Sequence, residues 1–120
     1  FKGGAIRQNI EAQSALQEQA LIQVEAVILG ALEEVENALV AYAEVQQRRQ
    51  ALSEATWAAQ QAADLARQKY EAGLTDFTNV LDAQRSLLSF QEQLAINNGN
   101  VTANLVRLYK ALGGGWAGEQ

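Results

Sequence analysis

The chain contains no proline, and this absence constrains its fold more than any other feature. Proline breaks the hydrogen bonding of a helix interior, so a proline-free chain permits long uninterrupted helices. Apart from Gly30, no strong helix breaker lies between residue 5 and Gly73. One interior glycine costs about 1 kcal/mol relative to alanine, which a long helix tolerates. The sequence therefore predicts one helix over residues 5–72.

Apolar residues recur with helical spacing on both sides of Gly73, mostly three, four or seven residues apart, as in amphipathic helices. They are Ile6, Ile10, Leu16, Val24, Ile28, Leu32, Val35, Leu39, Leu52, Leu65 and Tyr70, and then Phe77, Val80, Leu81, Leu87, Leu88, Leu94, Val101, Leu105, Leu108 and Leu112. Residues 97–100 are three asparagines and a glycine, but the spacing continues across them, so we expect a continuous second helix. Tyr70, Phe77 and Trp57 are interpreted as packing residues rather than as parts of a binding site.

The residues that follow the first helix predict a tight turn. Gly73 suits the left-handed position that ends many helices, and Leu74 is the apolar residue that often closes this motif. Thr75 or Asp76 can then cap a second helix. We expect a tip turn over residues 73–75, a returning helix over about 76–112 and a tail over 113–120. Residues 1–4 are expected to form a turn-like lead.

The two predicted helices differ in length, so part of the first one lacks a partner. If they fold back at the turn, Leu112 lies roughly opposite Glu36. The apolar stripe over residues 5–35 would then stay exposed, which soluble monomers avoid. We therefore expect the hairpin to pack on helices of other copies or of a longer polypeptide. Because the first residue is Phe1 and not Met, we also expect the chain to begin inside a longer or processed reading frame.

The composition excludes most catalytic and metal chemistry. With no His and no Cys, the chain cannot form a zinc finger, a disulfide, or a Cys or His nucleophile–base pair. Nine Lys and Arg against fourteen Asp and Glu give a net charge of −5, which argues against a nucleic-acid partner. The acidic run at Glu33, Glu34 and Glu36 lacks the His that helical di-iron sites need. We predict a solvated acidic face there, and no catalytic residue, metal ligand or cofactor.

Four stretches, taken in order, resemble the TolC-like outer-membrane efflux proteins. Residues 70–88 carry Tyr-x-x-Gly, a short turn and then Val-Leu-Asp-Ala at 80–83, similar to the periplasmic tip of that family. Residues 1–4 look like the chain leaving the last β-barrel strand of that family. Residues 31–38 and 108–116 are similar to the branch that serves resistance–nodulation–division pumps. The resemblance covers nearly the whole chain.

The resemblance implies an all-α fold, namely a long antiparallel, coiled-coil-like helical hairpin that forms part of a trimeric α-barrel tunnel. In this family a homotrimer crosses the outer membrane and continues as a helical tunnel through the periplasm. The tunnel tip meets a periplasmic adaptor protein, which links it to an inner-membrane pump. The implied function is that of a periplasmic segment of a passive efflux channel. We expect no nucleic-acid partner, and we expect an excised hairpin to self-associate through its helices.

The resemblance also assigns gate residues near the tip. Asp82 matches the acidic residue that rings the periplasmic aperture, where three symmetry copies would favour cations. Thr78 matches a position in the same constriction, and Asn79 stands where some members carry a second acid. Tyr70 matches a tip tyrosine that helps to hold the closed state through contacts between helices.

The same resemblance implies that the turn residues Gly73, Leu74 and Thr75 contact the adaptor. Two alternatives remain open at this point. A stand-alone structural coiled coil predicts a strict heptad repeat, which the apolar residues keep only loosely. The hairpin of a periplasmic adaptor predicts flanking lipoyl-like β-segments and a tip without the Val-Leu-Asp-Ala sequence.

Overall fold

The computed structural model describes the backbone of residues 2–117 and the side chains of residues 2–114. It contains two helices, α1 at Lys2–Glu71 and α2 at Phe77–Ala117, joined by residues 72–76. The helices lie side by side and antiparallel, and the molecule is a rod of 107 × 23 × 16 Å. The predicted all-α helical hairpin is confirmed.

Both outer ends of the hairpin are more helical than the sequence predicts. The expected turn-like lead at residues 1–4 is wrong for residues 2–4, which form the start of α1, while Phe1 lies outside the described residues. Likewise α2 does not end at residue 112 but continues to residue 117, and residues 118–120 of the expected tail lie outside the description. Glycine lowers helix propensity by about 1 kcal/mol, yet it still accepts helical dihedral angles.

The turn forms as predicted. Gly73 has a φ of 76° and is the one glycine with positive φ in the described part of the chain. Its N–H donates to the Tyr70 carbonyl at 2.9 Å, and the Leu74 N–H donates to the Lys69 carbonyl at 2.8 Å. These two bonds define a Schellman motif, which satisfies carbonyls that the end of α1 would leave unpaired. Asp76 takes the N-cap position of α2, and its carbonyl accepts a hydrogen bond from Asn79.

The two helices face each other along a line of contact that we call the seam. On α2 the shielded positions alternate strictly three and four residues apart: Val80, Ala83, Leu87, Phe90, Leu94, Asn97, Val101, Asn104, Leu108 and Ala111. This alternation is the heptad pattern of coiled coils. The seam runs without interruption through residues 97–100, so the predicted continuity of the second helix is confirmed.

On α1 the seam is built mainly from alanine. Its buried residues are Ala38, Leu52, Ala59 and Ala63, whereas Leu39 and Leu65 are about half exposed. Small residues on one helix let the larger side chains of the other approach its backbone closely. The packing is therefore close but shallow, and it buries little apolar surface for a chain of this length.

The N-terminal part of α1 has almost no partner among the described residues. Every described side chain before Val35 is exposed, including Ile6, Ile10 and Val24. The end of α2 reaches a little further than expected, because Leu112 lines a shared groove with α1 residues from Val27 onward. Within residues 2–117, neither helix combines the length and apolar character that crossing a membrane requires.

The opposite backbone geometries of two glycines give a direct test of the turn. Gly73→Ala should lower stability by about 1–2 kcal/mol, because alanine in the left-handed region is strained. Gly30→Ala should raise stability by up to about 1 kcal/mol, since Gly30 lies in the helix interior and an added Cβ meets no atom within 4 Å. Thermal unfolding of the hairpin itself, in which no neighbouring helix covers Gly30, should show melting temperatures that move in opposite directions. Two shifts of the same sign would contradict this account of the turn.

Candidate functional site: the hairpin tip

Two side-chain contacts hold the tip together. The Tyr70 ring at the end of α1 lies against the Phe77 ring at the start of α2, with centroids 5.2 Å apart and an interplanar angle of 58°. The Asn79 amide donates a hydrogen bond to the Thr75 hydroxyl. Both rings are about half exposed, so the aromatic pair bridges the helices at the surface of the tip.

Leu74 is the outermost side chain of the turn. It is 76% exposed, more than any other large hydrophobic side chain in the described part of the chain. In many Schellman motifs the residue at this position packs back against its helix. Here the backbone bond from Leu74 to Lys69 fixes the main chain while the side chain remains in solvent. The tip therefore presents an apolar group on a rigid backbone.

Thr78 and Asp82 share one face of α2, a single turn apart, and both are exposed. Each lies two residues from the buried Val80. Because successive residues of a helix are about 100° apart, both side chains point roughly 160° away from the seam. We call this side of α2 the outer face. An exposed carboxylate and hydroxyl in this arrangement can contact water, ions or another subunit.

Asn79 occupies a different position from the other predicted gate residues on α2. It borders a groove of about 250 Å³ between the helices, together with Leu65 and Lys69 of α1. The four predicted gate residues thus fall into three places: Thr78 and Asp82 on the outer face, Asn79 beside the seam, and Tyr70 against Phe77. The contact agrees with the interpretation of Tyr70 and Phe77 as packing residues, although the sequence did not indicate that the two rings meet at the tip.

The acidic run on α1 lies in solvent. Glu33, Glu34 and Glu36 are all exposed, as the predicted solvated face requires. Among the described residues, no group of three or more acidic, His or Cys side chains is placed to hold a metal ion. One ion pair, between Arg67 and Asp64 at 3.9 Å, lies in solvent on α1, where such pairs contribute little.

Comparison with known sequences gives a match over residues 1–114 to the family described as outer membrane efflux protein. The chain belongs to this family. The resemblance recognised from the four stretches of sequence is thereby confirmed. Its relatives are outer membrane proteins, and several of them are named as parts of efflux pumps. No solved structure gives a significant match to the hairpin.

Individual relatives match along almost the whole chain. Outer membrane protein OprJ of Pseudomonas aeruginosa is 36% identical over 118 residues, 97% of this chain and 24% of OprJ. The pyoverdine export outer membrane protein OpmQ of Pseudomonas putida is 37% identical over 119 residues, 99% of this chain and 25% of OpmQ. The toluene efflux pump outer membrane protein TtgF of Pseudomonas putida is 34% identical over 116 residues, 97% of this chain and 24% of TtgF. The chain spans about a quarter of the length of these curated relatives.

The aromatic contact at the tip should be measurable as a coupling energy. A double-mutant cycle with Tyr70→Ala and Phe77→Ala should give a coupling of about 0.5–1.5 kcal/mol in unfolding free energy, because the rings contact each other directly. A second cycle with Trp57→Ala and Phe77→Ala is the control. Trp57 is 68% exposed and far along α1, so those two effects should add to within about 0.5 kcal/mol. Additive behaviour of Tyr70 and Phe77 would contradict the contact.

Proposed function

We propose that this chain is a periplasmic helical-hairpin segment of an outer-membrane efflux channel. The full-length protein acts as a homotrimer and as a passive export conduit, without enzymatic activity. The family match over residues 1–114 carries this proposal. The 107 Å rod supports it, because long helices packed side by side suit the wall of an extended tunnel.

The two alternative functions are less well supported. The shielded positions of α2 alternate strictly three and four residues apart, whereas the apolar residues of the sequence follow this pattern only loosely. The strict alternation is compatible with a stand-alone coiled coil. That alternation suits any closely packed helix pair, so it does not separate the two functions. The hairpin of a periplasmic adaptor belongs to a different class of protein. The match to outer-membrane efflux proteins favours the channel over both.

The unpartnered part of α1 supports assembly with further helices. Before Val35 the helix exposes large apolar side chains on every turn or two: Ile6, Ile10, Leu16, Leu21, Val24, Ile28 and Leu32. Burial of one such side chain contributes about 1.5–3 kcal/mol. A trimeric tunnel supplies the neighbouring helices that this surface needs.

We further propose that the turn at Gly73, Leu74 and Thr75 docks a periplasmic adaptor, which links the channel to an inner-membrane pump. The support is the exposed Leu74 on a backbone fixed by two hydrogen bonds. A preorganised apolar group loses little conformational freedom on binding, so its burial favours association.

Substitution of Leu74 tests docking without straining the turn. Leu74→Asp should weaken adaptor binding by at least about tenfold, because it replaces buried apolar surface with a charge. Leu74→Met keeps the apolar contact and is the matched control. The readouts are adaptor binding to the purified full-length trimer and drug resistance in cells. If Leu74→Asp binds the adaptor as the unchanged protein does, the turn is not the docking surface.

The outer face of α2 is our candidate for the gate. Around a threefold axis, three copies of Asp82 would place carboxylates at one level of the pore, with Thr78 one turn nearer the tip. Such a ring favours cations and repels anions. In this proposal Asn79 and Tyr70 act indirectly, since Asn79 bonds Thr75 and Tyr70 packs on Phe77.

Single-channel recording tests Asp82. Asp82→Ala in the full-length trimer should raise conductance or reduce the preference for cations by about fivefold, the value of one close ion–carboxylate contact in water. Glu92→Gln removes an exposed acid further along the same helix and should leave both quantities unchanged. Identical recordings for Asp82→Ala and the unchanged channel would exclude Asp82 from the gate.

A further inference from the structure

The heptad spacing of the α1 seam continues beyond the part that α2 covers. Val35 and Ala38 are the shielded seam residues of α1 nearest to its N-terminus. Steps of three and four residues from them give a line of positions that we call the seam line: Ala31, Ile28, Val24, Leu21, Gln17, Ser14 and Ile10. All of these side chains are exposed, and most of them are apolar. We call residues 8–31 the uncovered stretch, and its spacing indicates that it packs on a helix in the same way as the seam does.

The charged residues of this part of α1 all have the same sign. Between Arg7 and Arg48 the chain contains no Lys or Arg, and its charged residues are Glu11, Glu18, Glu25, Glu33, Glu34, Glu36 and Glu44. The first three are seven residues apart, and each directly follows a position of the seam line, namely Ile10, Gln17 and Val24. Charged residues that flank the core of a coiled coil set the choice of partner. A helix packed on the uncovered stretch therefore meets a row of three carboxylates.

Where α2 does cover the acidic part of α1, it supplies basic residues. Glu34 borders a groove of about 320 Å³ between the helices, together with Arg107 and Lys110 of α2. These two are the only basic residues that follow Arg85 in the sequence. The hairpin thus already pairs acidic α1 with a basic helix segment at the last level that α2 reaches.

The uncovered stretch of a second copy does not fit as the partner. It would bring its own three carboxylates towards Glu11, Glu18 and Glu25, and like charges at this spacing repel each other. The chain spans about a quarter of the length of its curated relatives, so a full-length protein of that length has other segments that can take this place.

We infer that the uncovered stretch packs against a basic helix of the full-length protein, which lies outside residues 1–120 and continues the line of α2. This helix carries an apolar stripe for the seam line, and it carries Lys or Arg about seven residues apart for Glu11, Glu18 and Glu25. The inference rests on the proposed function, because it assigns a partner to surface that the channel has to cover. It adds the charge and the spacing of that partner.

Charge reversal in the middle of the glutamate row tests the inference. In the full-length protein, Glu18→Lys should make unfolding in urea about fivefold faster, the value of one close charge pair in water. Glu33→Lys is the matched control, because Glu33 is exposed on the same helix. It lies two residues from both Ala31 and Val35, and its side chain therefore points roughly 160° away from the seam line. The unfolding rate of this control should stay within about twofold of the unchanged protein.

Salt distinguishes a lost charge contact from a packing defect. Because about 1 M salt screens exposed charges beyond about 3 Å, it should bring the unfolding rates of Glu18→Lys and of the unchanged protein together. A fivefold difference that persists at high salt would overturn the inference. Equal rates for these two proteins at low salt, or equal acceleration by Glu33→Lys, would overturn it as well.

A second charge reversal identifies the partner helix. In the Glu18→Lys protein, each Lys and Arg of the full-length chain is changed to Glu in turn, and recovery of the original unfolding rate marks the residue that faces position 18. Recovery is expected from a residue outside residues 1–120. Recovery only from a basic residue within them, such as Arg48 or Arg67, would show that a second copy covers the stretch. That result, or no recovery from any residue, would overturn the inference.

These experiments measure neither conductance nor adaptor binding, so they separate the inference from the proposed function. A full-length protein that forms no trimer would contradict the channel, while the unfolding rates of Glu18→Lys and Glu33→Lys could still be compared. A stable trimer that tolerates Glu18→Lys would contradict only the basic partner helix.

Discussion

Two helices packed side by side can bury only one stripe of residues on each. In this hairpin the α1 stripe consists largely of alanine, which draws the backbones together but leaves the larger apolar side chains facing outward. Leu81 and Leu88, seven residues apart on α2, are exposed on the flank next to the seam. The chain thus carries more apolar surface than its own fold can bury. The proposed trimeric channel would account for this excess, because its further helices could cover the exposed apolar side chains.

The tip depends on a different kind of constraint, which is local and steric. Gly73 accepts a positive φ, two backbone hydrogen bonds close the end of α1, and Asp76 begins α2 after a very short connection. Because so few residues make the turn, they fix the direction and the starting register of α2 independently of the contacts along the seam. The contact of Tyr70 with Phe77 then adds a side-chain tie between the helix ends. The turn could therefore be predicted from a handful of adjacent residues.

The seam could not be predicted in the same way. Leu39 and Leu65 belong to the helical repeat of the sequence, yet both are half exposed, while Ala59 is buried in their place. Alanine has little hydrophobicity, so a pattern of apolar residues does not reveal which stripe of a helix faces its partner. Trp57, interpreted as a packing residue, is largely exposed in the hairpin for the same reason. Asn97 was recognised only as part of a helix-weakening stretch, since its burial depends on the register with α1.

The candidate gate residues depend on that register as well. A rotation of α2 by one residue, about 100°, would replace Asp82 on the outer face with a neighbouring side chain such as Leu81. The strict spacing of the seam prevents this rotation near the tip, where Val80 is buried. Further along α2 the buried Asn97 holds a seam position, and its Nδ2 donates a hydrogen bond to the Val45 carbonyl of α1. Because the Schellman turn and the aromatic pair also fix the start of α2, they help to keep Thr78 and Asp82 on the outer face.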